Sequence, residues 1–462
     1  MNISKITCAV LMAAMLLVSA TSCDKDNNND KPEPVVEDPS GYRAKNETEI
    51  KKAQIVNKTP LFEDDYYYDV MQYVWADPFK TFASKVSKFS NAAAVAIGTN
   101  DDGSNTAVSP ISVFMALAMA AESAADDTRQ EILDAMGITY DELKANIKHL
   151  CYVCNRIRPY ERENNRYNEI KCVNSLWVQD DVKVKESGTK SLADLFHTDL
   201  FRMDFDGSNV NDIITSYIAN ETRGFLKPNL EITPETLLVL MNVVYLRDVW
   251  DEYGDELDLT DTKYDFVNYD KSKKSTQLLQ GNHFGGRAVE TDKFRKFVTY
   301  TNEEIALTFF VPKDGYTLDD IYTTEVLNDP TQYIYSEKHG DTTYRFHTRC
   351  LFPEYNAGFD GYIQDVIKQM GVYKFFSLDC NFSNLTDDLV YCSKIRHIAK
   401  LEVTRFGIEG AAVTAEMMEG AAGPGMEIYK DIYEDFVVDR NFAYIISKDN
   451  IPIFTGVVKN IE

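Results

Sequence analysis

The stretch that most restricts what this chain can fold into runs from Leu401 to Phe436. It begins as a strand, LEVTRFG, and then changes to a run of mostly small side chains: Gly407, Ile408, Glu409, Gly410, Ala411, Ala412, Val413 and Thr414. The segment AEMMEGAAGPGMEIYKDIYEDF follows, and the chain closes on the apolar strands FAYII and IPIFTGVV. This connection is too long for a hairpin turn. Its start is too apolar for a solvated linker. A loop that can also become a strand satisfies both constraints. With strand alternation, Ile408, Gly410, Ala412 and Thr414 share an inward face, and Glu409, Ala411 and Val413 point outward. Glu416 falls on the inward face, where a charge is costly unless it reaches solvent.

The N-terminus carries a second signal. Lys5, the apolar run Val10 to Val18 and the small residues Ala20, Thr21 and Ser22 read as a secretory leader over residues 1–22. The run is too short to span a bilayer as a helix. A cysteine directly after small residues resembles the lipobox of bacterial lipoproteins, which implies lipidation of Cys23. The following DKDNNND resembles the acidic surface-export tag of Bacteroidetes lipoproteins. Together they imply an exported chain, lipid-anchored in the outer membrane at the cell surface. A plain secreted chain with an incidental cysteine is the alternative. Residues 23–59 are polar and proline-containing and read as a flexible tether. Residues 60–462 read as one folded domain with no internal break in composition.

A net charge of -25 argues against a nucleic-acid partner, which needs clustered Lys and Arg. Solubility and self-avoidance account for the acidity, and a monomer is expected. Of eight cysteines, Cys8 and Cys23 belong to the leader and anchor. The others, Cys151, Cys154, Cys172, Cys350, Cys380 and Cys392, suit structural disulfides or buried thiols, and their pairing stays open. The chain carries no nucleophile elbow, phosphate loop, HExxH or dinucleotide fingerprint, and no two histidines stand at metal-ligand spacing. No cofactor, metal or catalytic residue is expected, so an enzyme lacks support.

Several elements are legible. Ser109-Pro110 suits an N-cap and first turn ahead of a nearly all-apolar, hence buried, helix. Asp126–Gly137 is an amphipathic helix closed by glycine. Tyr66–Val86 suggests a first helical region. Glu169–Gln179 reads as a strand, Val210–Phe225 as a helix, and Leu237–Leu246 as a central strand covered on both faces. Phe297–Val311 reads as a hairpin, Tyr362–Met370 as a short helix, and Ile398–Val403 as an alternating strand.

With these placed, the chain resembles the serpin family of metastable serine-protease inhibitors from about residue 60 to its C-terminus. Ser109-Pro110-Ile111-Ser112 matches the SPxS opening of the family's buried helix, and Ile214–Leu226 its next helix pattern, with Tyr217 for Trp. Asn242-Val243-Val244-Tyr245-Leu246-Arg247-Asp248-Val249-Trp250 matches NAxYFKGxW. His397 precedes Gly407 at the family's spacing, and Phe436–Val458 matches the C-terminal pattern, with Asn441 for Pro. The resemblance implies an α+β fold of three β-sheets with about eight or nine helices and an exposed reactive-centre loop. A protease cuts the loop and is trapped as an acyl-enzyme while the loop inserts as a strand. Serine proteases are the implied partners, elastase-like or subtilisin-like from the small residues at the cut, with cysteine proteases second. Counting from Gly407 as in the family puts the cut at Ala421–Ala422. The family's shutter maps to Ser109, Ser112, Asn242 and His397, with Asn242 and His397 expected as mutual partners. Trp250 maps to the top of the sheet, where the loop enters. Ile408, where inhibitory members carry Thr, and Glu416 favour the alternative, a non-inhibitory binding or adhesion scaffold.

Overall fold

A strand with an apolar residue at almost every position has no face to give to water, and the run around Leu237–Leu246 is buried at the centre of the largest sheet. The computed structural model describes residues 7–13, 54–57, 73–99, 103–155, 160–161, 167–250, 256–340, 342–409 and 428–461. Along the chain run β1 (Thr7–Ala13), β2 (Gln54–Asn57), α1 (Asp77–Gly98), β3 (Thr106–Val108), α2 (Pro110–Ser123), α3 (Asp126–Met136) and α4 (Tyr140–Val153). Next are β4 (Tyr160–Glu161), β5 (Tyr167–Gln179), α5 (Glu186–Phe196), β6 (Asp199–Met203), α6 (Val210–Glu221) and β7 (Thr236–Asp248). Then come β8 (Tyr264–Val267), β9 (Lys273–Thr276), β10 (Leu279–Gly285), β11 (Val289–Glu290), β12 (Phe294–Tyr300) and β13 (Ala306–Pro312). After two single-turn helices, α7 (Leu318–Ile321) and α8 (Thr324–Leu327), come β14 (Ser336–His339), β15 (Thr342–Phe352), β16 (Tyr355–Tyr362) and α9 (Gln364–Gln369). The chain closes with β17 (Cys392–Thr404), β18 (Gly407–Glu409), β19 (Ile428–Val437), β20 (Phe442–Lys448) and β21 (Ile451–Val458).

Three principal sheets and one small hairpin result, an α+β fold. The widest runs β16-β17, then β18 and β1, then β7-β5-β6-β2. A second holds β10, β15 and β14 with β19 laid along β15, and a third runs β11-β12-β13-β20-β21-β3. β8 and β9 pair separately. Every residue of α2 is buried, and the helix packs against β7 and β21. Pro110 occupies its first turn, where a missing N–H costs nothing. α6 crosses the outer face, where Tyr217 meets the stacked rings of Trp177 and Phe201 edge-on. Gly137 closes α3 in the left-handed conformation with φ 68°.

Some elements differ from expectation. The first helix, α1, runs on to Gly98, past the expected end at Val86, because Ala93, Ala94 and Ile97 bury a face. The helix expected from Tyr362 begins two residues later, since Tyr362 ends β16. Gln54–Asn57, at the end of the expected tether, pairs with β6. Residues 7–13 form β1, which lies parallel to both β7 and β17 and fills the lower part of the cleft between them.

Candidate loop-insertion site

β18 is where the loop becomes strand. It runs antiparallel to both neighbours, with Ile408 opposite Val403 and Asp248, and Glu409 opposite Glu402 and Arg247. Ile408 is fully buried on the core face. Glu409 faces outward, accepts a 2.8 Å hydrogen bond from the Tyr245 hydroxyl and lies 4.0 Å from Arg247. Burial pushes its carboxyl up, against the pull of Arg247 and Tyr245.

Gly407 opens β18 with φ 151°, and a Cβ there would collide with the Asp248 carbonyl oxygen. Both constraints act at the turn from β17, so glycine is required on steric and conformational grounds. Gly407→Ala is expected to cost about 1–3 kcal/mol of stability, read as a lower Tm in thermal unfolding. An unchanged Tm would mean that the turn relaxes.

Asp248 stands at the glycine of the NAxYFKGxW pattern. It is buried and accepts hydrogen bonds from the Thr301 hydroxyl and from the N–H groups of Glu303 and Val249. Burial outweighs these bonds and the Asp248 carboxyl is pushed up to about 7. A folded-state value above the unfolded one means that this stability contribution is whole in acid. It is lost as pH rises from about 4 through 7, by about 1.4 kcal/mol per unit at most. Thermal unfolding across that window should show a slope that Asp248→Asn flattens, and equal slopes would sink the assignment.

Trp250 is buried beside Phe352, and its indole N–H donates to the Thr404 carbonyl at 2.7 Å. It thereby ties the end of β7 to the turn between β17 and β18.

Deeper in the sheet, α2 brings Ser109 and Ser112 up to β17 and β7. The Ser109 N–H donates to Nε2 of His397 at 3.1 Å, and the Ser112 hydroxyl to the Asn242 carbonyl at 3.4 Å. Asn242 does not pair with His397, against expectation. Its amide donates to Oδ1 of Asn174 at 2.8 Å and to Sγ of Cys172 at 3.2 Å. The reason is β1. Met12 lies opposite Asn242, and Leu11 lies opposite Arg396, one position before His397. A strand therefore separates the two residues. Burial holds the His397 imidazole down at about 3, so it is neutral. Nε2 accepts, which leaves the proton on Nδ1. Nδ1 of His397, Oδ1 of Asn242 and the Ser109 hydroxyl have no partner in the described structure. Asn174 was readable as a polar residue inside the apolar strand Tyr167–Gln179, and Asp248 as an acid next to Trp250.

Between the end of β1 at Val243 and the end of β18 at Arg247, the cleft leaves a small void of about 10 Å³, room for roughly one water. Val244, Tyr245 and Leu246 of β7, Lys400 of β17, Phe225, Leu226 and Phe454 line it. Gly410–Thr414, Ala421, Ala422 and Cys23 lie outside the described residues. β19 is paired with β15 from Ile428 onward, so Tyr429 and Lys430 are strand residues and do not sit in an open loop. Among the described residues, no group of three or more His, Cys, Asp or Glu could hold a metal.

Three main sheets, a helix buried beneath the widest and a loop already begun as a strand inside that sheet define an α+β protein whose loop starts within its widest sheet. The chain belongs to the serpin family: the model described as Serpin (serine protease inhibitor) matches residues 84–461. It is 27% identical to Serpin A3-3 of Bos taurus, over 82% of this chain and 85% of that one. It is 23% identical to Antitrypsin of Bombyx mori, over 78% and 89%. The thermophilic serpin tengpin in its native state superposes with a TM-score of 0.62 at 19% identity, covering 88% of this chain and all of that one. Human thyroxine-binding globulin complexed with its ligand gives 0.62 at 18% identity, covering 82% and 99%. Serpins are generally serine-protease inhibitors, and the family includes that ligand-binding member.

Proposed function

We propose that this chain is a suicide-substrate inhibitor of serine proteases that traps its target by loop insertion. The observation that carries the reading is the match between the cleft and the sequence due to enter it. Continuing β18 in register sets Gly410 opposite Leu246, Ala411 opposite Tyr245 and Ala412 opposite Val244. Those three β7 residues line the space. Small side chains let a strand be added there with little spreading of the sheet, and successive residues gain ladder hydrogen bonds to β7 and β17 in turn. A strand of ~15 residues spans ~50 Å, enough to carry an attached protease far from its starting point.

The cut is assigned to Ala421–Ala422, which suits an elastase-like or subtilisin-like enzyme. Cys23 would be lipidated, placing the inhibitor on the cell envelope as a tethered monomer. Removal of residues 1–22 would also take β1 out of the cleft and free the edges of β7 and β17 for the loop. The test is a chain lacking residues 1–22, incubated with a panel of serine and cysteine proteases. An SDS-stable complex and a large rise in Tm after loop cleavage are expected. The full-length chain, with β1 in the cleft, should give neither. Clean turnover with no rise in Tm would favour a non-inhibitory scaffold, which Ile408 and Glu416 motivate.

A further inference from the structure

We propose that Cys154 and Cys172 form a disulfide that ties the end of α4 to β5 beside the buried polar row of the central sheet. All three cysteines of this region are buried: Cys151 in the last turn of α4, Cys154 at its C-cap and Cys172 in β5. One side chain fixes their approach. The Asn155 amide donates to the carbonyl of Cys151 at 2.8 Å and to that of Cys172 at 3.0 Å. The N–H of Cys172 donates back to Oδ1 of Asn155 at 2.9 Å. The residue after Cys154 is thus clamped face to face with the backbone of Cys172. The Cys154 thiol donates to the Cys172 sulfur, which holds Cys172 toward its thiolate and Cys154 toward its thiol. The Asn242 amide donates to the same Cys172 sulfur at 3.2 Å and supports negative charge there.

Two buried sulfurs in contact, one of them favoured toward its thiolate by its neighbours, are the arrangement that disulfide exchange needs. The oxidant is a low-molecular-weight disulfide met while the chain folds. The Cys172 thiolate attacks one sulfur of that disulfide and expels the other as a thiolate. Cys154 then loses its proton and attacks the Cys172 sulfur, expelling the second thiolate. Two protein thiols become one disulfide, and one small disulfide becomes two small thiols. Cys151 also stands near Cys172, but the hydrogen bond to the Cys172 sulfur is made by Cys154, and a link from Cys151 to Cys154 would join one helix turn to itself and fix nothing. The Cys380 thiol bonds instead to the Val390 carbonyl at 2.7 Å.

The link matters to the sheet. β5 carries Asn174, which holds Asn242, so fixing β5 to α4 steadies one side of the cleft while β17 stays free on the other. The experiment refolds the full chain with oxidised glutathione, alkylates remaining thiols in denaturant and maps the digest without reduction. A linked Cys154–Cys172 peptide with Cys151 alkylated is expected, and the link should persist in Cys151→Ser. Reduction should lower the Tm of the oxidised wild type by several degrees and leave Cys154→Ser unchanged. Alkylation of both Cys154 and Cys172, or a link from either to another cysteine, would overturn the proposal.

Discussion

Glu416→Ala is expected to speed protease trapping by roughly one to two powers of ten near neutral pH, with the gain shrinking toward pH 5. The register of β18 places this residue. Continuing β18 sets position 416 opposite Leu240 on β7 and Ile395 on β17. β1 marks the same row, because Val10 lies opposite both Leu240 and Ile395. Both flanking residues are fully buried. A carboxylate entering there loses its water and gains no cation, so it must arrive protonated. Protonating an ordinary glutamate at pH 7 costs about 4 kcal/mol. The sign follows. The inserted carboxyl has a raised pKa, so insertion is fully supported below about pH 4 and loses support as pH rises through the inserted-state value. Stopped-flow trapping rates from pH 5 to 8, for the chain lacking residues 1–22 with and without the substitution, would read this directly. Parallel profiles would mean that Glu416 finds solvent or that the register shifts before it enters.

The parts of this fold that were legible in the sequence are those where one physical demand acts alone. Leu237–Leu246 read as a doubly covered strand because no polar face was available, and it extends to Asp248 in the structure. Asp126–Gly137 read as a helix because its cap and its period agree. β16 was not legible. Its sequence, YNAGFDGY, carries two glycines that depress strand propensity, yet Gly358 is set by tertiary contact, since a Cβ there would meet the Ala399 carbonyl at 2.8 Å. The same limit governs the site. The buried polar residues could be identified from their types, because a buried Asn or His needs a partner. Which partner each takes depends on what stands between the strands. Asn242 turns to Asn174 and Cys172 because β1 occupies the row toward His397, and no local pattern reports that. Asp248 could be seen as an acid beside Trp250, but its raised carboxyl could not, since that follows from burial against Thr301 and Glu303, distant in sequence.

That occupied row is also where the second large effect should appear. Continuing β18 brings position 414 opposite Asn242 and His397, in the row where Met12 of β1 faces Asn242. Two complementary atoms wait there without partners: the acceptor Oδ1 of Asn242 and the protonated Nδ1 of His397. The residue due to arrive is a threonine. A hydroxyl donates one hydrogen bond and accepts others, so Thr414 could satisfy both atoms at once. Valine has nearly the same shape and neither capacity. In a chain lacking residues 1–22, Thr414→Val should therefore slow trapping about tenfold, because each buried group left unpaired costs about 1–3 kcal/mol. It should also cut the Tm gained on loop cleavage by a few degrees, while the uncut protein, whose strand ends at Glu409, keeps its Tm. Thr414→Ser restores the hydroxyl and should restore both readouts. If valine traps as fast as threonine, residue 414 does not reach this row, and the insertion register drawn from β18 is wrong.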